Sequence, residues 1–390
     1  MTPNFRSPEF LAQQARSILN FYLPNCIDED GGFFHHFLDD GTVYERETRH
    51  LVSSTRFVFN FALASQQFNR PDYLDLARHG LRFIEQAHLN PKTGGYAWLL
   101  HAGQPSDDTN HCYGFAFMLL AYATALKANI AEAQQGLDHV FGMMERYFWD
   151  EAYGLYRDEM SGDWQTLSPY RGQNANMHSC EALLAAYEAT GEDIFLQRAY
   201  TVAQNISVRQ AELANGRIWE HYTPDWQIDW EYNKDNPRHR FRPWGFQPGH
   251  QTEWAKLLLI LERHRPEPWL LPRAVELFNW TTKYGWDSEN GGFYYSIHPD
   301  GWPSDPDKYC WVQNEAFATA ALLAKRTGDD SYWEWYDKIW AYCWQHFVDH
   351  KHGGWFRILD RVNQKYSNEK SPAGKVDYHA FGACLEVLGQ

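Results

Sequence analysis

A short glycine–aromatic element recurs six times along this chain. It reads Gly31-Gly32-Phe33-Phe34, Gly94-Gly95-Tyr96, Tyr153-Gly154-Leu155-Tyr156, Gly216-Arg217-Ile218-Trp219, Gly291-Gly292-Phe293-Tyr294-Tyr295 and Gly353-Gly354-Trp355-Phe356. With Gly32, Gly95, Gly154, Gly216, Gly292 and Gly354 as markers, the intervals are 63, 59, 62, 76 and 62 residues. A period of this size marks a repeat architecture, in which each copy buries its apolar face on its neighbours. Each copy also has the same layout. Apolar residues at three- and four-residue spacing predict a helix before each marker, over 10–22, 73–88, 131–148, 194–210, 269–284 and 332–347. A second helix is predicted after each marker, over 51–68, 112–126, 175–189, 252–263, 314–325 and 378–388.

The second set is richer in small apolar residues, among them Ala116, Ala121, Ala123, Ala182, Ala185, Ala186, Ala316, Ala318, Ala320 and Ala321. That composition suits helices enclosed on all sides. The element between the two helices alternates like a short strand, with glycines supplying the turns. Six units of outer helix, short strand and inner helix predict an all-α chain closed into an (α/α)6 barrel, with short β-strands in the connecting loops. An open solenoid of the same units is the alternative, but six copies fill the chain without recognisable caps. No low-complexity linker divides it, so residues 1–390 are read as one domain.

Six cysteines (Cys26, Cys112, Cys180, Cys310, Cys343, Cys384) are scattered without a C-x-x-C pair, which argues against structural zinc and a disulfide framework. Buried reduced thiols in a cytoplasmic protein are expected. No charged segment followed by an apolar run opens the chain, and no apolar stretch is long enough for a membrane span. Acidic residues outnumber basic ones 50 to 35, for a net charge of −15, which disfavours nucleic acid and other polyanionic partners. Aromatic residues reach 17%. They either fill a large core or stack on the C–H faces of sugars.

In such a barrel the N-terminal ends of the inner helices meet at one mouth. Polar residues there are Arg56, His111 with Tyr113, Asn174 with His178, His250 with Glu253, Trp311 with Glu315, and His379. Each histidine alone is as well explained by packing; recurrence at comparable places points to a shared site. No H-E-x-x-H, dinucleotide or P-loop motif is present, so no cofactor is expected. His250 and Glu253 share a helix face. They form either part of a metal site completed by His178 and His379, or an acid/base histidine whose tautomer Glu253 controls; the second reading is preferred. Asn174 is expected near a helix cap, with a plain N-cap as the bland alternative, and His178 follows one turn later. The lengthened fourth unit carries an aromatic, proline-rich segment over 230–250 that is expected to cover the mouth. Arg240 or Arg242 there either binds sugar hydroxyls or makes a surface salt bridge.

The repeat, Arg56, the run Asn174-Ala175-Asn176-Met177-His178, the motif Pro248-Gly249-His250-x-x-Glu253-Trp254 and Asp377-Tyr378-His379 resemble the N-acylglucosamine 2-epimerase superfamily across nearly the whole chain. The loop Tyr232-Asn233-Lys234-Asp235-Asn236-Pro237, with His239-Arg240-Phe241-Arg242, is similar to its mannose isomerase and YihS-type aldose–ketose isomerase branch. The resemblance implies cofactor-free interconversion of mannose and fructose, with lyxose–xylulose as a side activity. It makes His250 and His379 the acid/base pair. It places Arg56, Tyr113, Asn174, His178, Arg240, Glu253, Trp311 and Glu315 around a free monosaccharide. One departure is Val52, where some relatives carry a Trp shortly before the arginine.

The expected chemistry follows. A base with pKa near 7 suits removal of the C2 proton of an open-chain sugar. His379 is expected to move that proton between C2 and C1. His250, steered by Glu253, serves the oxygens or the opposite face; His178 assists ring opening; Arg56 stabilises the oxyanion. A 2-epimerase would share the same intermediate. A glycoside hydrolase would instead need Glu253 and Glu315 facing each other across a bond. A sugar-binding module without turnover is a fourth alternative. The residues leave monomer and homodimer both open.

Overall fold

The computed structural model of the chain describes residues 3–239 and 241–389. In chain order its α-helices are α1 (Pro8–Tyr22), α2 (Leu51–Phe68), α3 (Pro71–Phe83), α4 (Cys112–Lys127), α5 (Ala133–Met143), α6 (Gln173–Thr190), α7 (Asp193–Gln204), α8 (Pro248–His264), α9 (Leu270–Gly285), α10 (Cys310–Thr327), α11 (Asp330–His346) and α12 (Tyr378–Leu388). The helices α3, α5 and α7 each run on into a π-helical final turn. Odd-numbered helices form the outer ring. In α3 the buried residues are Tyr73, Ala77, Gly80 and Leu81, a single stripe at helical spacing. Even-numbered helices form the inner ring. In α10 the whole run from Val312 to Ala324 is buried, because neighbours cover every side.

The inner helices pack in sequence, α2 on α4, α4 on α6, α6 on α8, α8 on α10, α10 on α12, and α12 back on α2. The ring is therefore a closed (α/α)6 barrel. The hairpins are framed one step later than the repeat suggests. Each inner helix packs against the outer helix that follows it, as in α2 with α3 and α10 with α11. Tight left-handed C-caps make these turns, at Gly191 and Gly328 with φ of 73° and 72°. The remaining pair is α1 with α12, joined from opposite ends of the sequence.

Small antiparallel ladders belt the mouth. Residues 48–50 pair with 99–101, 110–111 with 159–160, 171–172 with 221–222, and 308–309 with 358–359. A bridge between Phe246 and Ile297 links the fourth unit to the fifth, and 36–38 pairs with 369–371 to join first and last. Each strand entering an inner helix thus pairs with the strand of the next unit.

Buried amides tie the belt to the helices. The fourth residue of α6, α8 and α10 is Asn176, Gln251 and Gln313. Each side chain accepts from a backbone N–H and donates to the same residue's carbonyl, at Tyr156, Ile218 and Phe293, over 2.8–3.1 Å. These are residues of the recurring glycine–aromatic element, so the motif is held by its own inner helix. An unpaired buried backbone group costs about 1–3 kcal/mol. Gln313→Ala orphans the N–H and C=O of Phe293, and we expect about 3 kcal/mol of lost stability. Urea unfolding should show a lower midpoint with an unchanged slope.

Three inner helices begin earlier than their periodicity suggests: α6 at Gln173, α8 at Pro248 and α10 at Cys310. Pro248 stands at the first helical position, where its missing N–H costs nothing. Asn174, His250 and Trp311 therefore lie inside first turns rather than in loops. All six cysteines are buried and free. No helix among the described residues is long and apolar enough to cross a membrane.

Candidate active site

The site is built from equivalent places on the inner helices. The second residues of α2 to α12 are Val52, Tyr113, Asn174, Gly249, Trp311 and His379; the sixth are Arg56, Phe117, His178, Glu253, Glu315 and Ala383. Residues two and six of a helix lie four apart, on one face. Closure of the ring turns these faces toward one cavity of about 320 Å3. Arg56, Tyr113, Asn174, His178, His250, Glu253, Trp311 and His379 all line it. Val52 is buried and does not.

Three histidines meet there, each with one ring nitrogen tied to a carboxylate. His178 Nδ1 lies 2.9 Å from Glu181, His250 Nδ1 2.9 Å from both oxygens of Glu220, and His379 Nδ1 2.7 Å from Glu315. An Nδ1–H donated to a carboxylate fixes the tautomer and leaves Nε2 as the basic nitrogen. The Trp311 ring stands between two of them, 5.0 Å from the ring of His250 and 5.5 Å from that of His379. The His178 and His379 rings are 6.4 Å apart. Burial pulls the His379 pKa down to about 4 against the opposing pull of Glu315, and burial lowers His178 as well.

Arg56 supplies a cation from the helix ring. Its guanidinium lies 4.4 Å above Phe117 and 4.6 Å above Tyr378, and donates to the Gly374 carbonyl and the Tyr113 hydroxyl. Glu253 is only 1% exposed, and neither of its oxygens has a hydrogen-bond partner among the described residues. Burial, and then the charge of Glu315, push its carboxyl well above the usual range. It faces the cavity as a carboxyl whose neutral form burial favours. The Oδ1 of Asn174 is buried beside the same cavity without a partner among the described residues. Unmet polar groups around an open space suit a polyhydroxy ligand.

The sequence model of the N-acylglucosamine 2-epimerase family matches residues 32–383. The chain belongs to that family. A D-mannose isomerase of Marinomonas mediterranea is 54% identical over 387 residues, which covers 99% of this chain and 98% of that protein. A crystal structure of D-mannose isomerase superposes with a TM-score of 0.98 at 53% identity, covering all of both chains. A cellobiose 2-epimerase from Spirochaeta thermophila, 23% identical, shares the fold with a TM-score of 0.87 over 98% of this chain and 96% of that one.

Within this epimerase-family barrel, several expectations need correcting. Glu253 does not steer His250; Glu220 does. His250 is the third residue of α8, so its ring leans back over the helix start, toward the strand at 221–222. Glu220 precedes that strand, and Gln173 locks it. The Gln173 amide donates to Glu220 at 2.9 Å while Trp254 donates to the Gln173 carbonyl at 2.7 Å. Glu315 does not line the sugar cavity. It sits behind His379, bonded to Lys256 on its other oxygen. Asn174 does lie near the helix cap, the cap itself being Gly172. His111 pairs with Glu159 at 3.0 Å and lines a neighbouring pocket.

The long loop does wall the mouth, with Arg238, Phe241 and Pro243 lining the cavity. Arg242 takes the salt-bridge alternative, with Glu159, and stacks over Tyr170. Arg240 lies outside the described residues. Among the described residues, two groupings have the donors of a divalent-cation site, His178–Glu181–Glu253 and Glu253–Glu315–His379. Neither is the His250–Glu253 pair weighed from sequence. Their imidazole Nδ1 atoms are already bonded to carboxylates, and the Lys256 ammonium already sits on Glu315.

Sequence reasoning missed Glu220, Glu181, Lys256 and Gln173. Glu181 carried a usable signal, three residues after His178 on the same helix face. Glu220 is 30 residues from its histidine and comes near only through the strand pairing of Gly172 with His221.

Proposed function

We propose that this chain is an aldose–ketose isomerase interconverting D-mannose and D-fructose, with D-lyxose and D-xylulose as a further pair. The observation that carries the reading is the trio of imidazoles with Nδ1 held by carboxylates, gathered on one cavity beside Arg56. The 54% identity to a D-mannose isomerase supports the choice of sugar. His178 opens the ring by moving a proton between the anomeric hydroxyl and the ring oxygen. His379 then takes the C2 proton on Nε2, the C2–H pair forms the C1–C2 double bond, and the C1=O π pair moves onto O1 as an enediolate. His250, oriented by Glu220, moves the proton between O1 and O2. Return of the proton from His379 to C1 gives the ketose. Arg56 balances the charge developing on the oxygens, an effect of ~3–4 kcal/mol for a well-placed donor. Glu253 and Asn174 bind hydroxyls. No step requires a cofactor, and we infer that the enzyme works without one. Six buried free cysteines suit a reducing compartment, and we place the protein in the cytoplasm.

The test is mannose incubated in heavy water with chelator present. Fructose carrying deuterium at C1 should dominate the products. Glucose without fructose would instead identify a 2-epimerase on the same barrel.

The pH dependence follows from burial. His379 must be neutral to accept a proton, and its pKa stands at about 4. We expect kcat/KM to hold as pH drops below 6.5 and to fall only toward pH 4. Stability moves within the same window. Unfolded histidine binds a proton near pH 6.5 and the folded His379 only near 4, so stability is lost as pH falls between them, by about 1.4 kcal/mol per unit. His88 and His221, both lowered to about 4 by burial, add to the loss. Brief pH-jump assays separate the two effects.

A further inference from the structure

The barrel holds a second cavity, of about 300 Å3, on the far side of the site's floor. Leu63, Leu120, Leu184 and Ile260 line its walls. Its inner end is charged, where Lys256, Glu181, Glu315 and His379 appear. His379 is thus reached from both ends of the barrel, and its carboxylate from the rear cavity alone. Lys256 stands three residues beyond Glu253 on α8, and its Nζ lies 2.5 Å from Glu315 Oε2. The other oxygen of that carboxylate holds His379 Nδ1 at 2.7 Å. The mechanism above gives this lysine no role.

The floor around it is crowded with titratable groups. Glu315 faces it from α10, Glu181 from α6, Tyr378 and His379 from α12, and Glu253 from its own helix, with Arg56 of α2 above. Within this group Lys256 is the cation bonded to the carboxylate behind His379. Without it Glu315 and Glu181 would share the space beside Glu253, and like charges this close favour protonation of one carboxyl. A protonated Glu315 loses its charge and one acceptor. His379 Nδ1–H would then lose its partner, and the ring would be free to turn or to change tautomer.

We propose that Lys256 is a positioning residue for His379, holding Glu315 ionised and turned so that Nδ1 keeps its proton and Nε2 stays basic. We further propose that the cavity behind it admits a small alkylammonium that can take over this role. The proposal rests on His379 being the base of the proposed isomerisation, so its test includes a readout independent of turnover.

Lys256→Gln keeps a hydrogen-bond donor and removes the charge. Its kcat for mannose should fall about 10–100-fold with KM changed less than about threefold, and Lys256→Arg should recover most of the loss. Lys256→Ala opens the vacated site to the rear cavity, so methylammonium should restore kcat saturably and tetramethylammonium should not. In 15N-histidine spectra, His379 should show a protonated Nδ1 and bare Nε2 at neutral pH in the wild type. The Gln variant should show mixed tautomers. A folded Gln variant with wild-type kcat and an unchanged His379 spectrum overturns the proposal, as does an Ala variant that methylammonium refolds without restoring kcat. If the wild type itself makes no fructose, the isomerase reading fails, while the spectra alone still decide whether Lys256 sets the state of His379.

Discussion

His379→Asn is expected to lower kcat for mannose isomerisation by about 10³-fold while leaving the fold intact. A positioned general base contributes roughly 10²–10⁴-fold, and asparagine fills much of the same space without a basic nitrogen. The ring lies in the cavity wall, its one hydrogen bond among the described residues goes to Glu315, and an amide can replace it. Loss of stability should therefore be small. Exchange of the C2 hydrogen with heavy water should fall in parallel with turnover, because both depend on the same transfer. If exchange persisted while fructose formation stopped, the C2 proton would be moved by another group, and His250 would be the next to test.

Glu220→Gln should lower kcat by about 10²-fold, with KM for mannose little changed. The carboxylate reaches His250 Nδ1 with both oxygens at 2.9 Å and is 2% exposed, so no water competes for the bond. A glutamine of the same shape can present its NH2 to Nδ1, which reverses the tautomer and moves the ring proton to Nε2. The cavity would keep its volume and lose a proton shuttle. Glu253→Gln should behave differently. Burial favours the neutral form of Glu253, and an amide keeps its shape and a donor, so the change should mainly raise KM. The contrast between the two glutamates is the sharpest check on which one serves His250.

What the sequence could and could not convey divides along chain distance. The sixfold spacing of glycine–aromatic elements was enough for the barrel, because each copy repeats one local layout. It also located the mouth, where Arg56, His178, His250 and His379 converge. The three-residue helical spacing holds for His178 with Glu181, a pair the sequence reading missed, and failed for His250 with Glu253. The difference lies in depth along the helix. His178 is a sixth residue with its own helix around it, whereas His250 sits in the first turn and leans out to a neighbouring strand. The partner of His379 comes from another helix, 64 residues away. Such contacts are set by ring closure, which no local pattern records. The same holds for Gln173, whose position beside Glu220 follows from the pairing of Gly172 with His221.

Gly249 gives the inner ring a particular property. A side-chain carbon placed there would come within 2.3 Å of the Trp311 ring. The indole has its berth between two imidazoles only because the neighbouring helix leaves its own slot vacant. The twelve slots of the ring are therefore not independent letters: what one helix can display depends on what the next withholds. Any redesign of this barrel for another sugar would have to exchange adjoining slots as couples, and a single swap at 249 would unseat the spacer and let the two proton carriers drift together.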